Sequence, residues 1–183
     1  MGTEGSTVLS PLWRGLPAID SSAVSNSASC ALPPRFEAVR NARKFTRATL
    51  SQWDLSGLFD DVALVVSELV TNSMRYGVQA DVMSGACGAG GGGDVGGIGG
   101  IGGIGEYEPS VRLHLMRWTS RLVCAVRDPS EESPVVGEAD AGAECGRGLT
   151  LVESFSDAWG WHPLAGALQG KVVWALFRLP QHG

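Results

Sequence analysis

Lysine is scarce in this chain, and several patterns that mark common protein classes do not occur in it. Lys44 and Lys171 are the only lysines among 14 basic residues, and the net charge of −5 gives no overall attraction for nucleic acid. No apolar stretch approaches the roughly 18 residues of a membrane span, and no basic segment leads into an apolar run as in a secretory signal. We therefore expect a cytoplasmic protein that binds neither membrane nor nucleic acid directly.

The cysteines are also few and widely separated. They form no Cys-x-x-Cys motif and no cluster with histidine, which argues against a structural zinc site. Reduced thiols are expected at all four positions: Cys30, Cys87, Cys124 and Cys145. With 183 residues and 44% hydrophobic content, the chain is long enough for one domain with a sizeable core.

Two segments are too rich in small residues to be expected in that core. Residues 1–31, rich in serine, alanine and glycine, predict a poorly ordered tail. Residues 83–106 hold half of the 26 glycines and predict a flexible insertion. A nucleotide-binding glycine loop is not expected there, because no predicted strand precedes the glycines and no Gly-Lys-Ser/Thr follows them. Residues 32–179 are predicted to form the folded domain.

The stretch from Asp60 to Gly77 predicts one amphipathic helix, capped near Asp60 and closed by Gly77. One broad face carries Val62, Val66, Leu69, Val70 and Ser73, and a narrow polar stripe carries Asp61, Glu68, Asn72 and Arg75. Glu68 and Asn72 are four residues apart, so their side chains are neighbours. A carboxylate beside a carboxamide suits Mg²⁺ or a bound hydroxyl group. The alternative, a core helix with a solvated stripe, stays open on this stretch alone.

A second helix is predicted from Arg35 to about Leu50. Its apolar half holds Val39, Ala42, Phe45, Thr46 and Leu50, and its polar half holds Glu37, Arg40, Asn41, Lys44 and Arg47. The basic members of the polar half are either a solvated face or a contact surface for an acidic partner.

Two β-hairpins are predicted in the second half of the chain. The first joins strands 111–118 and 121–127 by a tight turn, with His114 expected to be exposed on the outer side. The second joins residues 157–162 to 170–179, and its last strand is apolar enough to be central or well covered. Its tryptophans are expected in the core or in cross-strand contacts: Trp159, Trp161 and Trp174.

A long polar loop and a glycine-opened helix lie between the hairpins. The loop follows Asp128 and runs to about Glu144, and long ordered loops are often lids or binding loops. The Cys-Gly-Arg-Gly sequence then opens a short helix, Leu149 to Phe155. A glycine-rich turn at a helix start presents free N–H groups that suit phosphate, although such helices are also common without a ligand.

Three motifs therefore occur in one order: Ser-Glu-Leu-Val-Thr-Asn-Ser-Met-Arg-Tyr-Gly, Val-Arg-Asp-Pro-Ser and Gly-Arg-Gly-Leu-Thr-Leu-Val, with Gly-Lys-Val-Val-Trp near the end. This arrangement resembles the GHKL-type ATP-binding domain. More narrowly, it is similar to the bacterial anti-sigma factor serine kinases and their ATP-binding regulatory relatives. The resemblance covers about residues 32–179 apart from the glycine-rich insertion.

The resemblance implies a role for each matching position. Glu68 would be the general base that orients or deprotonates the attacking hydroxyl. Asn72 would hold the Mg²⁺ that bridges the phosphates, and Asp128 would accept a hydrogen bond from the adenine amino group. The phosphate-lining glycine box matches Gly146, Arg147, Gly148 and Leu149. Residues 129–145 take the place of the ATP lid, and the role of Gly170-Lys171 is left open.

The resemblance also implies a fold, an activity and partners. The expected fold is an α/β two-layer sandwich, with a mixed, mostly antiparallel sheet and helices on one face. The expected activity is transfer of the ATP γ-phosphate to a serine of an anti-anti-sigma (STAS-type) protein, in control of a sigma factor. Relatives often pair, so a homodimer is among the expected assemblies. Mg²⁺ and ATP are the expected cofactors.

This sequence departs from the family at the first glycine box. The usual Asp-x-Gly-x-Gly is replaced by Asp-Pro-Ser-Glu-Glu at 128–132, so the lid is expected to hinge differently. That departure favours a second reading, an ATP-binding module that docks partners without turnover. A third reading is an interaction protein without nucleotide. No phosphoacceptor-like helix precedes the domain and no transducer domain follows, which argues against sensor kinases and gyrase-like relatives.

Overall fold

A computed structural model describes residues 24–33, 37–77, 111–134, 147–164 and 169–180. Residues 1–23, the glycine-rich insertion and most of the predicted lid lie outside this part of the chain. The tail and insertion predictions therefore stay predictions for those residues.

The described strands form one five-stranded sheet in the order β1-β2-β3-β5-β4. Its strands are β1 Asn26–Leu32, β2 Val111–Arg117, β3 Arg121–Asp128, β4 Ala158–Pro163 and β5 Lys171–Arg178. All four pairings are antiparallel, where a mixed, mostly antiparallel sheet was expected. Both predicted hairpins are confirmed, and the tight turn after β2 is closed by the 2.8 Å bond from Trp118 N to the Arg121 carbonyl. The apolar strand β5 lies between β3 and β4, as expected.

Strand β1 is the element that the sequence did not predict. Asn26–Leu32 was expected to belong mostly to the tail, but it pairs along its whole length with β2. Serine, alanine and asparagine have low strand propensity, and the strand lies at an exposed edge of the sheet. Pairing with a strand about 85 residues later is therefore a tertiary effect rather than a local one.

Three α-helices are described: α1 Glu37–Gln52, α2 Phe59–Asn72 and α3 Arg147–Phe155. The predicted long helix is α2 continued by a π-helical turn, Ser73–Gly77. Its N-cap is Leu58 without a side-chain hydrogen bond, so the predicted cap at Asp60 is wrong. Asp60 and Asp61 lie in the first turn, where their charges still favour the helix dipole.

The helices pack on one face of the sheet, and this face holds the larger core. The predicted apolar faces are confirmed, since Val62, Val66 and Val70 are fully buried in contact with sheet residues such as Leu113 and Cys124. A second buried cluster lies on the opposite face of the sheet: Met116, Trp118, Val123, Ala125, Val172, Trp174 and Leu176. The architecture is the expected α/β two-layer sandwich.

The described tryptophans of the second hairpin lie in the core or opposite a neighbouring strand, as expected. Trp174 is buried, and its ring covers Gly160, where a Cβ would lie 2.6 Å from the ring. Trp161 on the edge strand β4 is 37% exposed and is a cross-strand neighbour of Val173. Cys30 and Cys124 are free thiols, and burial raises the pKa of Cys124 to about 12. In the described part of the chain, no helix has the length and apolarity needed to cross a membrane.

The prediction that His114 is exposed is wrong. Its side chain is 5% exposed on the outer side of β2. Burial, together with the smaller effect of the nearby positive charges of Arg112 and Arg127, lowers the pKa of His114 to about 4. The alternation placed His114 on the correct side of the strand but could not show that this side is covered.

His114 is expected to make folding sensitive to acid. Its pKa is about 4 in the folded protein against 6.5 as a free side chain, so the unfolded chain binds the proton first as the pH falls. The contribution of His114 to the free energy of unfolding should be fully present above pH 6.5 and should fall by on the order of 3 kcal/mol towards pH 4. Urea unfolding at pH 7 and pH 4.5 should show a smaller loss in His114→Leu than in the wild type. Equal losses in the two proteins would contradict this assignment.

Candidate functional site

The polar stripe of α2 faces the start of α3. Glu68 and Asn72 are both half-buried, and both line a cleft with Gly148. A Cβ built on Gly148 would lie 2.8 Å from Glu68 Oε2 and 3.3 Å from Asn72 Nδ2. The three residues therefore converge on one point, although Gly148 is 76 positions from Asn72 in the chain.

Glycine at position 148 allows the start of α3 to approach these two side chains closely. Any larger residue would push its first side-chain carbon against the carboxylate of Glu68 and the carboxamide of Asn72. Helix α3 begins at Arg147, so its first N–H groups and the positive end of its dipole are near the same two side chains. The arrangement brings side-chain oxygen ligands and anion-binding N–H groups close together.

Asp128 lies in the wall of the same cleft and is 2% exposed. Its Oδ1 accepts hydrogen bonds from the Ser130 N–H and from the ammonium of Lys171, both at 2.9 Å. Its Oδ2 accepts a 3.0 Å hydrogen bond from the Ser73 hydroxyl. Lys171 Nζ is also 3.3 Å from the Ser130 carbonyl oxygen. The carboxylate is thus held rigidly by partners from α2's extension, β5 and its own loop.

The cleft has a volume of about 430 Å³, and Glu68, Asn72 and Gly148 line it together with Asp128. Its further lining includes Leu149, Arg75 and residues 132–134 of the loop after β3. Leu149 is buried and supplies an apolar wall, while Arg75 is exposed and brings a positive charge to the cleft. A cleft of this size with a few convergent polar groups suits a small-molecule ligand.

The structure brings together five of the seven residues named as site candidates: Glu68, Asn72, Asp128, Gly148 and Leu149. Gly146 and the side chain of Arg147 lie outside the described residues. Three residues that hold Asp128 were missed. Ser73 was assigned to the apolar face, Ser130 was read only as part of a loop, and Lys171 had no assigned role. A lysine at the start of a mainly apolar strand was the one available signal.

The loop after Asp128 is shaped by side chains where the family uses glycines. The Ser130 N–H bonds to Asp128 Oδ1, and the Glu132 N–H bonds to the Ser130 hydroxyl at 3.2 Å. Such Asx and serine turns fix a chain direction without glycine. A glycine is still required on the neighbouring strand, because Gly170 has a φ of +101° and its missing Cβ would collide with the Asp128 carbonyl.

The side chains of the cleft fit a Mg²⁺ ion only if phosphate oxygens and water complete its coordination. The described residues contain no group of three or more His, Cys, Asp or Glu side chains that could hold a metal ion. A carboxamide oxygen from Asn72 beside phosphate oxygens and water is the coordination that Mg²⁺ commonly adopts with nucleotides. Asn72 lines the same cleft as Gly148, so its oxygen is available to such a shared ion.

A second groove of about 530 Å³ lies between α1 and the start of α2. Its lining includes Arg40, Arg43, Lys44 and Arg47 around the ring of Phe59. The Arg47 guanidinium lies 3.9 Å from the ring centroid, and Arg43 is 3.2 Å from the Ser67 hydroxyl. Within the described residues, no carboxylate pairs with these four cations. This is the basic half of α1 that the sequence left as either a solvated face or a partner surface.

Comparison with known protein families identifies the domain. Residues 32–175 match the family model of the histidine kinase-like ATPase domain. A search of curated proteins gave no match to this chain. The matched segment contains the α2 stripe, Asp128 and the start of α3, and it spans far more than half of the 183 residues. The chain therefore belongs to the histidine kinase-like ATPase domain family, and this membership implies that it binds ATP.

Proposed function

We propose that the protein is a regulatory kinase that transfers the ATP γ-phosphate to a serine or threonine hydroxyl of a partner protein. The observation that carries the proposal is the convergence of Glu68, Asn72 and Gly148 at the start of α3, in one cleft with Asp128. Phosphoryl transfer needs positioned charges more than covalent help from the protein, and this cleft supplies them.

Each described residue has a role in that transfer. Asp128 accepts a hydrogen bond from the adenine amino group, and the backbone near Gly148 binds phosphate oxygens. Asn72 supplies an oxygen ligand for Mg²⁺, which neutralises phosphate charge when bound. Glu68 accepts the proton of the attacking hydroxyl. At the same time the hydroxyl oxygen of the partner bonds to the γ-phosphorus, and the bond from the γ-phosphorus to the oxygen that bridges it to the β-phosphate breaks. The products are a phosphorylated partner and ADP.

The family resemblance supports an anti-anti-sigma protein of the STAS type as the partner, with a sigma factor as the controlled protein. The basic groove of α1 supports an acidic contact surface on such a partner, because its cations form no ion pair with a carboxylate in the described part of the chain. We include a homodimer in the same proposal because relatives in the family often pair.

A second candidate function is an ATP-binding module that docks partners without turnover. The observation that favours it is the loop after Asp128, which is tied by Ser130 and Glu132 rather than hinged by glycines. A loop held in this way closes less readily over a nucleotide, and closure completes many phosphoryl-transfer sites. ADP production that rises with partner concentration would exclude this candidate.

Titration calorimetry with Mg²⁺-ATP tests whether the cleft binds nucleotide. Gly148→Ala is expected to weaken ATP binding by about tenfold or more, equal to roughly 1.4 kcal/mol, because the new methyl group displaces Glu68 and Asn72. Its folding should change little, since both displaced groups are ends of flexible side chains. Gly57→Ala is the matched control, because nothing lies within 4 Å of that Cβ position.

The control should bind ATP as the wild type does. Equal affinities for all three proteins would show that phosphates do not bind at the start of α3. Absence of ATP binding in the wild type would remove both candidate functions.

A further inference from the structure

Lys171 is buried in the wall of the nucleotide cleft. Its side chain is 5% exposed and its ion-pair partner Asp128 is 1% exposed. Lysine is almost never buried unless it is paired, and a buried pair is weak evidence for stability, since apolar residues of similar size often serve as well. The position of this pair in the cleft suggests a role toward the ligand.

The described contacts do not use all the hydrogen-bonding positions of Lys171 and Asp128. The Lys171 ammonium has three N–H groups, and the described residues accept two of them, at Asp128 Oδ1 and the Ser130 carbonyl. The Asp128 carboxylate can accept about four hydrogen bonds, and three come from Lys171, Ser130 and Ser73. Among the described residues, one donor of Lys171 and one acceptor position of Asp128 are left without a partner, and both residues line the cleft.

We propose that Lys171 is a base-specificity residue whose third N–H donates to ring nitrogen N1 of adenine. The inference rests on the proposed function, in which the adenine amino group donates to Asp128. Adenine presents that amino donor directly beside the N1 acceptor, so the free acceptor and donor of the pair match both atoms. A 6-oxopurine presents an N1–H to the ammonium and a carbonyl oxygen to the carboxylate, and both contacts are unfavourable in that orientation.

Nucleotide analogues test this contact on the wild-type protein. In 1-deaza-ATP a C–H replaces N1 while the amino group remains, so the Lys171 N–H loses its acceptor. We expect 1-deaza-ATP to bind about 10- to 100-fold more weakly than ATP in calorimetry, the range for a hydrogen bond to a charged group. The control 7-deaza-ATP changes a ring nitrogen that the pair does not contact, and it should bind within about threefold of ATP.

The Lys171→Met variant isolates the residue. In this variant ATP and 1-deaza-ATP should bind with nearly equal affinity, because no ammonium distinguishes them. Thermal unfolding shows whether the variant folds, and the analogue series on the wild type decides the question if it does not.

Two outcomes separate this inference from the proposed function. If the wild type binds ATP and 1-deaza-ATP equally, Lys171 serves Asp128 only, and ATP binding stands without the base contact. If the wild type binds no ATP, the proposed function fails and the base contact fails with it. Equal discrimination in the wild type and in Lys171→Met would also overturn the assignment, since another group would then contact N1.

Discussion

Glu68→Gln is expected to lower the rate of phosphoryl transfer by about 10²- to 10⁴-fold, the usual contribution of a general base. Glutamine has nearly the shape of glutamate and can occupy the same place beside Gly148, but it cannot take the proton of the attacking hydroxyl. ATP affinity should stay close to that of the wild type, because Glu68 lies beside Gly148 and is not among the described partners of Asp128. The measurement is ADP formation at saturating Mg²⁺-ATP, with phosphorylation of a cognate partner where one is known.

The matched control for this change is Glu153→Gln. Glu153 is an exposed glutamate on α3 that does not line the cleft, so its variant should retain the wild-type rate. An unchanged rate in Glu68→Gln would remove Glu68 from the chemistry. A loss of ATP binding together with activity would instead make it a binding residue, because a group that acts only in the transition state changes the rate and not the affinity.

Helical periodicity was sufficient to predict the core side of the site. Val62, Val66 and Val70 were placed on one face of α2 by their spacing, and all three are fully buried. The same spacing placed Glu68 and Asn72 together on the opposite stripe, where the cleft now lies. Such local rules work because side chains three or four residues apart share a face whatever the rest of the chain does.

Contacts between distant segments could not be predicted in that way. Ser73 was assigned to the apolar face, and it is buried, but its hydroxyl bonds to Asp128 from 55 positions away. Lys171 lies 43 positions from the same carboxylate. Neither pairing has a local pattern, since strand register and helix packing decide which side chains meet.

Burial of side chains on the outer face of the sheet could not be predicted from the sequence either. The alternation in β2 put His114 on that face correctly, yet an alternating strand is equally consistent with an exposed or a covered face. Strand β1 was missed for a related reason, because its serines and alanines join the sheet through pairing with β2 and not through propensity. The roles of Glu68, Asn72 and the glycine box came from family resemblance and stay predictions.

The second large effect is expected from Asp128→Asn, which keeps the shape of the side chain and removes its charge. Lys171 then stays buried beside a neutral carboxamide, and breaking a buried ion pair at one partner typically costs about 3–5 kcal/mol. Urea unfolding at pH 7 should show this loss, and ATP binding should weaken in the same protein. Asp157→Asn is the control, because Asp157 is exposed and, among the described residues, its side chain accepts a hydrogen bond only from the backbone N–H of Arg178.

A double variant separates the ion pair from the shape of the cleft. Asp128→Asn combined with Lys171→Met removes both charges, so it should be more stable than the sum of the two single losses predicts, by about 1–3 kcal/mol of coupling. Strict additivity would mean that the two charges do not stabilise each other in the folded protein. If stability recovers in the double variant while ATP binding does not, the pair is retained for the nucleotide rather than for the fold, because an apolar replacement then satisfies folding and fails only at the ligand.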